Sequence, residues 1–157
     1  MGKKLIMYYS YTNNTKKIAE QLQKATGADI CEIETAKPYT GDYNSVVDQG
    51  KKEIDHGFKP EIKPLSVNLA AYDTIIIGTP VWWYTYAPAV ATFLSEYDLS
   101  GKTVIPFVTN GGWIGHTIKD MEEACKNSIV TNAIDIRFDT DKMVMPESKL
   151  KKWIDCL

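Results

Sequence analysis

Apolar positions along the chain fall into five short bursts, with stretches of helical spacing between them. Residues 4–9 (KLIMYY), 73–79 (DTIIIGT) and 102–109 (KTVIPFVT) are continuous apolar runs of strand length, the pattern of strands covered on both faces. Residues 29–34 (DICEIE) are more polar, and residues 133–138 (AIDIRF) alternate strictly. Between the bursts, Ile18, Leu22 and Ala25 share one face of a helix that stops at Gly27. Residues 43–55 place Tyr43, Val47 and Ile54 at helical spacing. A third helix opens with Pro88 in its first turn and turns Val90, Phe93, Leu94 and Tyr97 inward. A fourth, over 115–127, buries Ile118, Met121 and Cys125; the last carries Leu150, Trp153, Ile154 and Leu157 on one face. The segment FKPEIKPL (58–65) is expected to run over the surface. Pro106 lies inside an apolar run, and a lost ladder bond or a bulge is expected there.

Strands alternating with helices predict a parallel sheet with helices on both faces. The three apolar strands belong in its middle and the two half-polar ones at its edges, which is the order 2-1-3-4-5 of a doubly wound sheet. Such a sheet binds ligands beyond the carboxyl ends of strands 1, 3 and 4. The segments to read for chemistry are therefore 10–15, 80–87 and 109–116.

The first is SYTNNT, in which Ser10, Thr12, Asn14 and Thr15 offer hydroxyls and an amide in front of a helix. It reads either as a helix cap or as a cradle for a dianion on the helix N-terminus. The second, PVWWYTYAP, sets Trp82, Trp83 and Tyr84 in succession, a spacing that fits stacking on a flat ring rather than one face of a core. Successive residues of an extended loop point in opposite directions, so one tryptophan is expected to face the crevice while the other packs against protein. Trp83 or Tyr84 is favoured for the crevice. The third, TNGGWIGHT, carries Gly111, Gly112 and Gly115, which allow close backbone approach, and Trp113 as a further ring. Each segment alone reads equally as ordinary loop structure. Converging on one crevice, they describe a site for a molecule with a phosphate at one end and a flat polar ring at the other, and flavin mononucleotide (FMN) fits that description.

Composition changes this picture little. The chain has 157 residues, the length of one domain, with 44% hydrophobic and 24% charged residues and a formal net charge of −2. That balance argues against nucleic acid. No apolar run reaches membrane-spanning length, and the amino terminus lacks a cleavage site, so the protein is expected in the cytoplasm. Gly2 lacks the serine or threonine at position 6 that myristoylation requires. Cys31, Cys125 and Cys156 are far apart and away from both histidines, and no metal site is expected.

From Leu5 to the last helix, the chain resembles the flavodoxin family, and within it the small proteins whose second loop reads P-[IV]-W-W. The family phosphate loop is commonly [ST]-x-T-G-N-T; Ser10, Thr12, Asn14 and Thr15 match it, and Asn13 stands where glycine is usual. Pro80, Val81, Trp82 and Trp83 match the second loop, and Thr109, Gly111 and Gly112 the third. The resemblance implies a flavodoxin-like α/β fold with a five-stranded parallel sheet. It implies FMN as cofactor, its phosphate on 10–15 (with Tyr11 and Asn13), its ring against 80–84, and its pyrimidine edge on Thr109, Asn110, Gly111, Gly112 and Gly115. Tyr84 departs from the small residue common in relatives, and carriers are often far more acidic. Three functions remain open: an electron carrier between a reductase and an acceptor protein, an FMN-dependent NAD(P)H oxidoreductase acting on quinones or similar acceptors, and a cofactor-free binding module. Tyr84, Tyr86, Trp113 and His116 are candidates to line a substrate pocket in the second.

Overall fold

A computed structural model describes residues 3–157; Met1 and Gly2, with the reading made of Gly2, lie outside them. Among the described residues eight strands are formed: β1 Lys4–Tyr8, β2 Asp29–Glu32, β3 Thr74–Trp82, β4 Thr85–Tyr86, β5 Thr103–Asn110, β6 Ile129–Val130, β7 Ile134–Asp139 and β8 Lys142–Met143. The helices are α1 Asn14–Thr26, α2 Tyr43–Asp55, α3 Pro88–Glu96, α4 Thr117–Ala124 and α5 Glu147–Asp155. The long strands run β2-β1-β3-β5-β7, parallel throughout, which is the order expected from their polarity. This is a flavodoxin-like doubly wound sheet.

Alternation of side chains across the sheet builds two cores. Leu5, Met7, Ile75, Ile77 and Val104 face Val90 and Phe93 of α3 and Met121 of α4. Ile6, Ile76, Ile105, Phe107 and Ile136 face Ile18 and Leu22 of α1 and Leu150 and Trp153 of α5. At their centre Gly78 gives its missing side chain's space to the ring of its register partner Phe107. Helix ends follow local chemistry. Asp42 accepts a hydrogen bond from the Ser45 N–H at 2.8 Å to start α2, and Gly27 ends α1 in a left-handed turn.

Several expectations are corrected. Ala25 is exposed and Ile118 is only half-buried; α4 is shorter than 115–127 and ends before Cys125, which is buried as expected. Tyr43 is 70% exposed, and α2 instead buries Val46, Gly50 and Glu53 because the Trp82 ring packs on Gly50. The segment 58–65 does not simply skirt the surface: Ile62 is buried in a bridge to Thr35, and Thr92 donates to the Pro60 carbonyl at 2.6 Å. Strand β7 is flanked by the antiparallel two-residue β8 rather than ending the sheet. The interruption expected at Pro106 is present, where β5 changes neighbours: β6 pairs with Thr103 and Val104, and β7 only from Phe107 onward. The ladder on that side is interrupted at the residue that lacks an N–H.

Buried phenols set an alkaline limit. Burial, reinforced by the nearby Glu32, pushes Tyr8 up to about 12. Tyr9 and Tyr39 are pushed up as well, Tyr9 by burial and Tyr39 by burial and its hydrogen bond to Glu53. Below about pH 10 both folded and unfolded chains hold these protons, and the phenols add no pH dependence to stability. Above it the unfolded chain releases them and the fold does not, so stability should fall between pH 10 and 12. The loss is about 1.4 kcal/mol per pH unit for each of the well-buried Tyr8 and Tyr9. Denaturant melts from pH 8 to 12, with phenolate absorbance followed in parallel, check this; undiminished stability at pH 12 would contradict it.

Candidate functional site

The segment after β1 turns sharply. Asn13 adopts φ 73°, the left-handed conformation that asparagine tolerates better than most residues, in place of the glycine usual there. Its carbonyl accepts from the Lys17 N–H at 2.9 Å, and the Ser10 hydroxyl accepts from the Lys16 N–H at 3.2 Å. Among the described residues, the backbone N–H groups of Thr12, Asn13, Asn14 and Thr15 donate to no acceptor in the chain. The side chain of Asn13, the residue before α1, makes no cap hydrogen bond. Four successive free donors at the positive end of a 13-residue helix form a site for an anion. Asn14 Nδ2 donates to the Thr140 carbonyl at 2.8 Å, which fixes the amide; its Oδ1 is buried without a partner and requires a donor such as a hydroxyl.

The second segment is a hairpin rather than a loop. Strand β3 continues through Pro80 and Val81 to Trp82, and Val81 and Trp82 pair with Tyr86 and Thr85 of β4. The two-residue turn is Trp83 (φ 49°) and Tyr84 (φ 71°), a geometry that normally selects Asn-Gly. Two aromatic residues there cost on the order of 1 kcal/mol each or more, and contacts from outside must impose the shape. Trp83 Nε1 donates to the Val47 carbonyl of α2 at 2.9 Å, and the Lys51 ammonium lies 5.6 Å from the Trp83 ring centre. The Tyr84 carbonyl accepts from the His116 N–H at 2.8 Å, and its backbone lies so near Gly115 that any Cβ there would meet it at about 2.5 Å. Trp82 is held edge-on by Tyr9, Tyr11 and Tyr39 at 6.0, 5.8 and 5.0 Å between ring centres. Tyr39 in turn donates to the buried Glu53 at 2.6 Å.

In the third segment, Asn110 Oδ1 accepts from the Gly112 N–H at 2.9 Å, while its Nδ2 donates to Asp135. The three segments enclose a cavity of about 410 Å³, a size that suits a cofactor. Of the expected site residues, Tyr11, Thr12, Asn14, Pro80, Val81, Trp82, Trp83, Thr109, Asn110 and Gly111 line it. Ser10, Asn13, Thr15, Tyr84, Gly112 and Gly115 stand behind it or at its rim. Both tryptophans border the cavity, contrary to the expectation that one would turn away, because the left-handed turn at Trp83 reverses the alternation of an extended chain. Tyr84, one of the two residues favoured for the crevice, lies outside it.

Sequence reading missed Tyr43, Val46, Val47 and Gly50 of α2, and Phe138 and Thr140 of the β7–β8 turn, which complete the wall. Gly50, a glycine within a helical pattern, was the readable sign of close approach.

Thr15 and Thr12 do different work. The Thr15 and Thr109 hydroxyls share a buried 2.8 Å hydrogen bond that ties the first segment to the third, whereas Thr12 is exposed to the cavity. Thr15→Val should lower stability by about 1–3 kcal/mol by orphaning Thr109, and adding Thr109→Val should recover part of that loss. Thr12→Val should leave stability unchanged and weaken the ligand. Urea melts of the three variants check this; a neutral Thr15→Val would mean that the bond contributes nothing.

The family described as Flavodoxin matches residues 3–157. Flavodoxin from Haemophilus influenzae is 28% identical over 103 residues, covering 63% of this chain and 45% of that protein. Flavodoxin 1 from Escherichia coli strain K12 is 26% identical over 106 residues, covering 65% of this chain and 46% of its own length. The matched part of this chain thus spans less than half of those curated relatives. Solved structures align end to end. A Bacteroides eggerthii protein provisionally assigned as a flavoprotein has a TM-score of 0.83 at 30% identity, over 99% of this chain and 98% of its own. A flavoprotein from Lactobacillus acidophilus in complex with FMN has a TM-score of 0.77 at 26% identity, over 98% of this chain and 99% of its own. With its sheet order, its cradle at α1 and a family match over every described residue, this chain belongs to the flavodoxin family.

Proposed function

We propose that the chain binds FMN and works in the cytoplasm as an electron carrier between a reductase and an acceptor. The observation that carries the reading is the row of free N–H groups from Thr12 to Thr15 at one end of an aromatic-walled cavity. Those donors would hold the phosphate, and a hydroxyl of the bound cofactor would supply the donor that Asn14 Oδ1 lacks. Trp82, Trp83 and Val81 offer surfaces for the ring, and Asn110 and Gly111 backbone groups for its polar edge. Once bound, FMN supplies one- and two-electron chemistry; the chain's part is to bind it, orient it and keep water from it. Among the described residues, no helix is long and apolar enough to cross a membrane.

A carrier needs a separate reductase. Mixed anaerobically with NADPH alone, the FMN-loaded protein should stay oxidised over minutes, and a flavodoxin reductase should bleach it. Rapid bleaching by NADPH alone would favour the NAD(P)H oxidoreductase instead.

A further inference from the structure

Glu53 of α2 is a buried carboxylate that the cofactor site does not use. It is 8% exposed, and among the described residues no cation pairs with it. The Tyr39 hydroxyl donates to its Oε1 at 2.6 Å and Gln49 Nε2 to its Oε2 at 2.9 Å. An apolar side chain there would pack without the cost of burying a charge. The Tyr39 ring lies 5.0 Å from the Trp82 ring between centres. Trp82 lines the cavity, whereas Tyr39 lines a separate surface hollow of about 200 Å³ with Tyr9, Tyr11 and Lys63. Tyr9 and Tyr11 are nearly as close to Trp82, but among the described residues neither hydroxyl donates to a carboxylate. The pair Trp82–Tyr39 thus runs from the cavity wall to the surface and ends on a phenol with its own proton acceptor.

We infer that Trp82, Tyr39 and Glu53 drain oxidising equivalents from the cavity: Tyr39 refills an oxidised Trp82 while Glu53 takes the phenolic proton. The oxidants are of the one-electron class that arises where a flavin meets light or oxygen, an excited flavin or an oxygen-derived radical. One electron leaves the Trp82 indole and reduces the oxidant. One electron then passes from Tyr39 to Trp82, the Tyr39 O–H bond breaks, and its proton joins Glu53 Oε1, a contact short enough for direct proton transfer. A neutral tyrosyl radical is left at the hollow. A thiolate from solution returns the electron there, Glu53 returns the proton, and a thiyl radical departs. Before oxidation, burial and the bond to Glu53 keep the phenol protonated. Losing an electron turns that phenol into a strong acid, and the same bond then accepts the proton. Trp83 also borders the cavity, but the Lys51 ammonium 5.6 Å from its ring centre opposes a positive charge on it.

Only the oxidant's place in the cavity rests on the FMN reading, and the experiment therefore has two arms. Indole is oxidised by a blue flash in the FMN-loaded protein and by azide radicals from pulse radiolysis in the apoprotein, with transient absorption following indole and tyrosyl radicals. Both arms use a Trp113→Phe background, because that ring is 68% exposed and lies 4.9 Å from Tyr84. In both, the indole radical should decay as a tyrosyl radical grows. Tyr39→Phe should remove most of the tyrosyl signal and prolong the indole radical, and Tyr9→Phe should change neither. Glu53→Gln, which still accepts from the phenol but takes no proton, should slow the transfer about 100-fold. Transfer without that substitution should be slower in D2O than in H2O. A tyrosyl signal of full size in Tyr39→Phe, an unchanged rate in Glu53→Gln, or equal rates in the two solvents would overturn the inference. Loss of the flash arm alone, with the azide arm intact, would instead overturn the FMN reading.

Discussion

Gly78→Ala should lower stability by about 3 kcal/mol or more, although it adds a single methyl group to a strand with ordinary dihedrals. The reason is the position of Phe107. A Cβ on Gly78 would fall within 2.7 Å of three carbons of that ring. The ring has nowhere to go: Phe107 is fully buried, lies across the sheet from Gly78 in register, and packs on Trp153 of α5 at 6.2 Å between ring centres. At roughly 2–4 °C per kcal/mol for a chain of this size, the midpoint of thermal unfolding should drop by roughly 6–12 °C. Phe107→Leu alone should also destabilise, by leaving a void. Combined, the two changes should cost clearly less than their sum, because the smaller side chain makes room for the new methyl group. Strictly additive costs would mean that Gly78 is required for some reason other than that ring.

How far the sequence reveals this molecule depends on where the determining contacts lie. Strand order was legible because burial on two faces leaves a different composition from burial on one, as in 73–79 against 133–138. The left-handed Asn13 was legible only through the family resemblance, which places glycine at that position, and asparagine accepts the conformation better than most residues. The Trp83–Tyr84 turn was not. Its dihedrals normally announce themselves as Asn-Gly, and here two aromatics are forced into them by the Val47 carbonyl, the His116 N–H and the bare backbone of Gly115. No local pattern encodes contacts made from 36 residues upstream and some 30 downstream. The wall supplied by α2 was hidden for a similar reason. Its amphipathic spacing admits either Tyr43, Val47 and Ile54 or Val46, Gly50 and Glu53 as the inner line, and only the Trp82 ring on Gly50 decides between them. In the same way Thr15 reads as a ligand donor until its hydroxyl is found on Thr109.

If the free N–H groups of Thr12 to Thr15 hold a phosphate, as proposed, riboflavin, which lacks only that group, should bind far more weakly than FMN. A hydrogen bond to a charged acceptor is worth about 1.5–3 kcal/mol, and even two of the four donors would contribute about 3–6 kcal/mol. Each 1.4 kcal/mol is a factor of ten in affinity, so FMN should bind at least about 100-fold more tightly than riboflavin. The measurement is calorimetric titration of the apoprotein with each flavin in the same phosphate-free buffer. A large gap in dissociation constants between FMN and riboflavin is the predicted result, and equal affinities would mean that these N–H groups hold no phosphate.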